Sequence, residues 1–125
     1  MKLVSIGYWA GDGDGRWPDV RGFVDPDWDA DDRADCITYL RRGLVARAYF
    51  GPSACRICQK MNGSVDLTEL VYIWPEGLAH YLSEHSVRLP DEFVHHVRAR
   101  REMFDDFEVK DDWWISQHTG PTNRE

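Results

Sequence analysis

CRICQKMNGSVDLTELVYIWPEGLAHYLSEH, residues 55–85, opens on two cysteines three apart and closes on two histidines five apart. A Cys-x-x-Cys turn points two thiolates to one side, and a tetrahedral Zn2+ needs two further ligands of similar softness. His80 and His85 supply them. The pattern is C-x2-C, then the twenty-one residues 59–79, then H-x4-H. The last spacing falls in the zinc-finger range of roughly three to five, and the middle spacer is longer than the usual stretch of about a dozen residues. The order of cysteines, hairpin and helix also fits a zinc-stapled hairpin-helix unit.

Helix geometry raises an objection. Residues five apart on an ideal helix point about 140° apart, so His85 reaches His80 only if the last turn tightens or unwinds after Ser83. The alternatives for the fourth ligand are Glu84, four residues from His80, and His95 or His96 on the next helix; His118 lies in the tail. Sulfur and nitrogen ligands in this mixture suit zinc or iron.

Other readings of the cysteines fit less well. A thioredoxin-like pair opens a helix, which Asn62-Gly63 stops at once. A zinc deaminase needs a preceding His-x-Glu, and the first histidine here is His80. Cys36 reads as a small core residue on a helix face, with a reactive thiol or metal ligand as its alternative.

Around this unit, the 125 residues and 14.6 kDa fit one domain, 1–125, with a zinc-binding sub-region at about 51–90. Apolar residues at 42% and charged residues at 30% describe a chain that folds. The net charge of −7 disfavours phosphate neutralisation as the main source of affinity and suits a basic partner. The N-terminus lacks the apolar core of a signal peptide, and no run is long enough to span a membrane, so the expectation is a cytoplasmic protein with reduced thiols.

KLVSIGYW, 2–9, reads as a strand, and GDGDG, 11–15, as a solvated turn in preference to a calcium loop, because Arg16 and Trp17 follow where oxygen ligands belong. The order of Asp29, Asp31 and Asp32 before Arg41 and Arg42 predicts a helix over 30–42, with Ala34, Cys36, Ile37 and Leu40 inward. LVARAYF, 44–50, reads as a strand. Asn62-Gly63 predicts a hairpin turn, and 65–74 strand pieces interrupted near Glu69. Pro75 opens a helix over 75–85 with Leu78 and Leu82 inward; Pro90 opens another whose stripe is Phe93, Val94, Val97 and Phe104. Residues 107–110 and 113–115 read as a closing strand, and 118–125 as a frayed tail. The sum is an α+β fold: about three helices and a small, mainly antiparallel sheet.

The stretch 55–90 resembles a group of small bacterial proteins of uncharacterised function that carry Cys-Arg-x-Cys-Gly, then Asn-Gly, then Trp-Pro-Glu-Gly-Leu-Ala-His-Tyr, a further His and Arg-Leu-Pro. The resemblance places Cys55, Cys58, His80 and His85 at the pattern's metal positions and Trp74, Glu76, Gly77, Arg88 and Pro90 in its framework. The chain departs with Gln59 where the pattern has Gly, and with Glu69-Leu70 where it has Asp-Gly. The group implies no activity.

Four protein ligands leave no position for a reactive water, so a Cys2His2 zinc is structural. No phosphate-binding loop, nucleophile elbow or His-Glu-x-x-His pair is present. The expected function is a zinc-stabilised protein-binding module: an adaptor, inhibitor or immunity-like protein. The six tryptophans are its aromatic resource, with Trp9, Trp17 and Trp113-Trp114 near the termini and the acidic DPDWDADD, 25–32, beside them. One alternative is nucleic-acid binding through Arg88, Arg98, Arg100 and Arg101; another is an enzyme using His80 with Glu84, or His95 and His96, as acid and base.

Overall fold

The computed structural model describes residues 1–12, 15–49, 51–118 and 120. Parts of the expected glycine-rich turn, the last residue of the expected strand at 44–50, and most of the expected tail lie outside these residues.

Helix α1, Ala30–Arg41, begins where Asp29 accepts the N–H groups of Asp31 (3.0 Å) and Asp32 (2.9 Å), so the local charge order sets its start as expected. Its inner face runs through the buried Cys36 and Leu40, with Ile37 partly buried, whereas Ala34 is exposed. The chain then enters β2, Leu44–Ala48, which pairs antiparallel with β3, Val65–Thr68; β3 pairs antiparallel with β4, Tyr72–Pro75. Between β3 and β4 the Thr68 hydroxyl accepts from Leu70 N–H (2.9 Å) and donates to the Tyr72 carbonyl (2.6 Å), which closes the turn expected near Glu69. Strand β1 is only Val4–Ser5 and pairs parallel with β4, giving the order β1-β4-β3-β2. The longer strand expected at 2–9 stops because Gly7 takes φ +79° and the chain turns into the core at Trp9.

Helices α2, Leu78–His85, and α3, Asp91–Asp105, join α1 over the sheet. Leu40, Leu67, Trp74, Leu78, Leu82 and Phe93 meet in one core. The Trp74 indole N–H donates to the Leu40 carbonyl (3.1 Å), tying the end of α1 to β4. The expectation that Pro75 starts a helix is corrected: Pro75 closes β4 opposite Asp66, and α2 starts three residues later. A proline has no N–H to give, so it fits the end of a strand as well as the first turn of a helix.

Two further expectations fail at the C-terminal end. Residues 112–116 form helix α4, Asp112–Ser116, and 107–110 form no strand. Phe104 does not continue the inward stripe of Phe93, Val94 and Val97: in the second half of α3, α1 meets the arginines Arg98 and Arg101, and Phe104 is left outward. Met103, Phe104, Phe107, Val109, Trp113, Trp114 and Ile115 are all 66–72% exposed. Among the described residues, no helix is long and apolar enough to cross a membrane.

Candidate metal centre

The cysteines sit in a tight knuckle. Ala54 bridges Met61, Cys55 N–H donates to Lys60 O (2.8 Å), and Gln59 N–H returns to Cys55 O (2.9 Å). The apex is therefore at 56–59. Asn62-Gly63, expected as the hairpin turn, instead lies on the outgoing limb and docks the knuckle onto the approach to α2. Asn62 Nδ2 donates to Gly77 O (3.1 Å), and Glu76 Oε1 accepts from Ser64 N–H (2.5 Å) and Val65 N–H (3.2 Å). Gly63 has φ +93°, and a Cβ there would overlap the Glu76 side chain; one on Gly77 would overlap Asn62. Both glycines are required by close approach.

Helix α2 brings the histidines. Its last turn is wider than an α-turn, since the N–H groups of Ser86 and Val87 both donate to the Tyr81 carbonyl, five and six residues back, and Ser86 turns left-handed at φ +54°. The expected tightening or unwinding after Ser83 is thus replaced by a helix that runs through His85 and widens at its end. The ligand atoms of Cys55, Cys58, His80 and His85 all lie within 4.8 Å of one another.

The donor set fits a tetrahedral ion. Bonds of about 2.3 Å to sulfur and 2.0–2.1 Å to nitrogen imply tetrahedron edges of roughly 3.3–3.8 Å, and Cys58 Sγ lies 3.4 Å from His80 Nε2. His85 Nε2 is buried with no hydrogen-bond partner, a cost that a bound metal removes. Burial first, then the neighbouring His85 and Lys60, lowers the His80 pKa and favours the neutral imidazole that binds metal. Four protein donors close the shell, which suits a structural ion.

The surroundings hold the ligands in place. Ile57 N–H points at Cys55 Sγ (3.4 Å), and Arg56 N–H donates to the Tyr81 hydroxyl (2.7 Å). Burial pushes the Tyr81 phenol up to about 12, with the adjacent Cys55 adding to the rise, so it stays a hydroxyl. Tyr81 thereby links the knuckle to α2 between the two histidines, a supporting role of the kind that orients metal ligands. Sequence reasoning missed it, although its place directly after His80 was the available signal.

The other candidates stand elsewhere. Glu84 and His95 are exposed and outside the set, and His118 is exposed beyond α4. His96 Nε2 lies 3.1 Å from the Tyr39 hydroxyl and 3.3 Å from Glu69 Oε2, and Arg100 approaches the same carboxylate at 3.6 Å. Cys36 is fully buried, and burial followed by the charges of Asp32 and Asp35 pushes its thiol up to about 12, so it is a core residue. The arginines expected to contact phosphate are engaged by acids: Arg88 with Asp25 and Asp91, Arg98 with Asp32, Arg101 with Asp35. Asp12, on the calcium-like stretch, accepts Trp9 N–H (2.6 Å) and pairs with Arg56 (2.9 Å).

A cleft of about 410 Å3 opens beside the knuckle, between Tyr8, Trp9, Asp12, Tyr49, Arg56 and Tyr81. Next to it the buried Asp66 accepts from the Tyr49 hydroxyl (2.6 Å) and pairs with Arg47. A lone aspartate inside the apolar strand VDLT was the sequence signal for this network. Neither His95 nor His96 lines this cleft.

Of the aromatic surface expected near both termini, the C-terminal part stands outward and the N-terminal part does not. Trp9, Trp28 and Trp74 are core, and Trp17 stacks on Tyr8 at 5.2 Å; only Trp113 and Trp114, at 71% and 72% exposure, are offered outward. No family model, curated protein or solved structure matches the chain.

Proposed function

We propose that this chain is a small zinc-stapled protein-binding module of adaptor, inhibitor or immunity-like type, acting on a basic partner in the cytoplasm. Zn2+ held by Cys55, Cys58, His80 and His85 would supply folding free energy and no nucleophile, because its shell is filled by protein. Membership in the group that the stretch 55–90 resembles belongs to this proposal, with the same four residues as ligands.

The observation that carries the binding reading is the C-terminal arm, 102–116, in which seven large apolar side chains stand at least 66% exposed among six acids and a single lysine. Exposed large apolar side chains in this number on one segment point to a contact site. The acids favour a basic protein surface over anionic lipid or nucleic acid. Arg88, Arg98, Arg100 and Arg101 are held in ion pairs within the chain, which further weakens a nucleic-acid role.

The test is elemental analysis of untagged protein, thermal melting with and without a strong chelator, and a binding comparison between wild type and a Trp113→Ser/Trp114→Ser variant. One zinc per chain, lost together with the fold, and a protein complex lost only in the variant are expected. Metal-free protein with unchanged melting would overturn the zinc reading; salt-sensitive DNA or RNA binding by wild type would overturn the partner class.

A further inference from the structure

The arm has a complementary surface on the chain itself. Strand β2 is an open edge of the sheet, all five of its residues are exposed, and Leu44 and Val45 stand 64% and 68% exposed. Open edges with apolar side chains are normally covered or blunted. Arg41 and Arg42 lead directly into this strand, both exposed.

Charge pairing separates these two arginines from most others. Arg47, Arg56, Arg88, Arg98, Arg100 and Arg101 each sit against a carboxylate, whereas Arg41 and Arg42 are in no ion pair among the described residues. The acids of the arm, Asp105, Asp106, Glu108, Asp111 and Asp112, are likewise in none. An acidic apolar arm and a basic apolar edge are thus left over on one molecule, each without a counterpart.

Resting on the reading of the arm as a contact surface, we propose that the basic surface it meets is the Arg41-Arg42 edge of a second copy of this chain, a local contact within a molecule of net charge −7. The arm, 102–116, lies along β2 of the other copy, its aromatic rings cover Leu44 and Val45, and its acids meet Arg41 and Arg42. Each copy gives an arm and receives one, so the contact closes as a two-fold pair. Area supports this: aromatic side chains bury about 150–250 Å2 each, so the exposed parts of Phe104, Phe107, Trp113 and Trp114 amount to roughly 600 Å2 per arm. Two arms reach about the 1,200 Å2 at which specific stable interfaces begin.

The experiment is sedimentation velocity on the full zinc-loaded chain from low to high micromolar concentration. Wild type is compared with Arg41→Glu/Arg42→Glu, Asp111→Arg/Asp112→Arg, their four-site combination, and Trp113→Ser/Trp114→Ser. The proposal expects a wild-type pair that weakens as salt rises, at least tenfold weaker association in each two-site charge variant, recovery in the combination, and a monomer when the tryptophans are removed. A wild-type monomer at every concentration overturns it, as does a pair that survives loss of both tryptophans. Zinc content and melting on the same samples separate the two readings. A folded, zinc-bound monomer overturns self-association and leaves the module standing; a metal-free chain with unchanged melting overturns the zinc module whatever its mass.

Discussion

Cys58 Sγ and His80 Nε2 lie 3.4 Å apart across twenty-two residues of sequence, with nothing but the fold to hold two such groups together. A structural zinc has an apparent binding free energy of about 10–16 kcal/mol in small fingers, so removing one ligand has a large effect. Cys58→Ser and His85→Ala are each expected to lower zinc affinity by at least about 100-fold and to lower the melting temperature. Glu84→Ala is expected to leave both unchanged. Competition with a chromophoric chelator measures the affinities, and a His85→Ala protein that binds zinc as wild type does would remove His85 from the set.

Gln59 and Leu70 have φ values of +65° and +83°, a region that side chains avoid and glycine enters freely. Left-handed backbone costs an L-residue about 1–2 kcal/mol, partly offset by the greater unfolded-state freedom of glycine. Gln59→Gly and Leu70→Gly are therefore expected to stabilise the protein by about 0.5–1 kcal/mol each, read as a raised denaturation midpoint. Destabilisation by both would mean that their side chains contribute more than the backbone strain costs.

Gly63 and Gly77 present the opposite case. A methyl at either would meet the side chain that docks the knuckle onto α2, and overpacking costs about 1–3 kcal/mol. Gly77→Ala is expected to destabilise the fold by at least about 2 kcal/mol and to weaken zinc binding, because the cysteines and histidines stand on opposite sides of that contact. A variant that melts early but binds zinc normally would show that the knuckle holds its place without this docking.

Glu69 predicts a pH dependence. Burial raises its carboxyl pKa, but the Tyr72 N–H at 2.7 Å, the Tyr39 hydroxyl and His96 outweigh it and hold the pKa below the ordinary value of 4.5. A carboxyl with a depressed native pKa adds stability that is complete above its unfolded pKa and is lost as pH falls through the native one. Glu69→Gln is expected to cost about 1–2 kcal/mol at pH 7, and the difference from wild type should shrink as pH falls below 4.5. Acid release of metal affects both proteins, so their difference isolates Glu69. A gap that stays constant down to pH 3 would contradict the assignment.

What the sequence determined by itself was local. The cap of α1 at Asp29, the interruption of the strand run near Glu69, the turn formed by Cys-x-x-Cys and the candidate ligands His80 and His85 are all legible, because each rests on spacing and short-range hydrogen bonding. The tertiary structure decided which apolar side chains are covered and which turn residues serve as turns. Pro75 fits a helix start and a strand end equally, and pairing with Asp66 selects the strand. Asn62-Gly63 has the chemistry of a hairpin turn, but the approach of Glu76 and Gly77 uses it for docking. Phe104 keeps the helical period of Val97, yet it is exposed where Val97 is buried, so the same stripe is core at one end of α3 and open surface at the other. Periodicity records which residues share a face; burial depends on what packs against that face, and that neighbour comes from elsewhere in the chain.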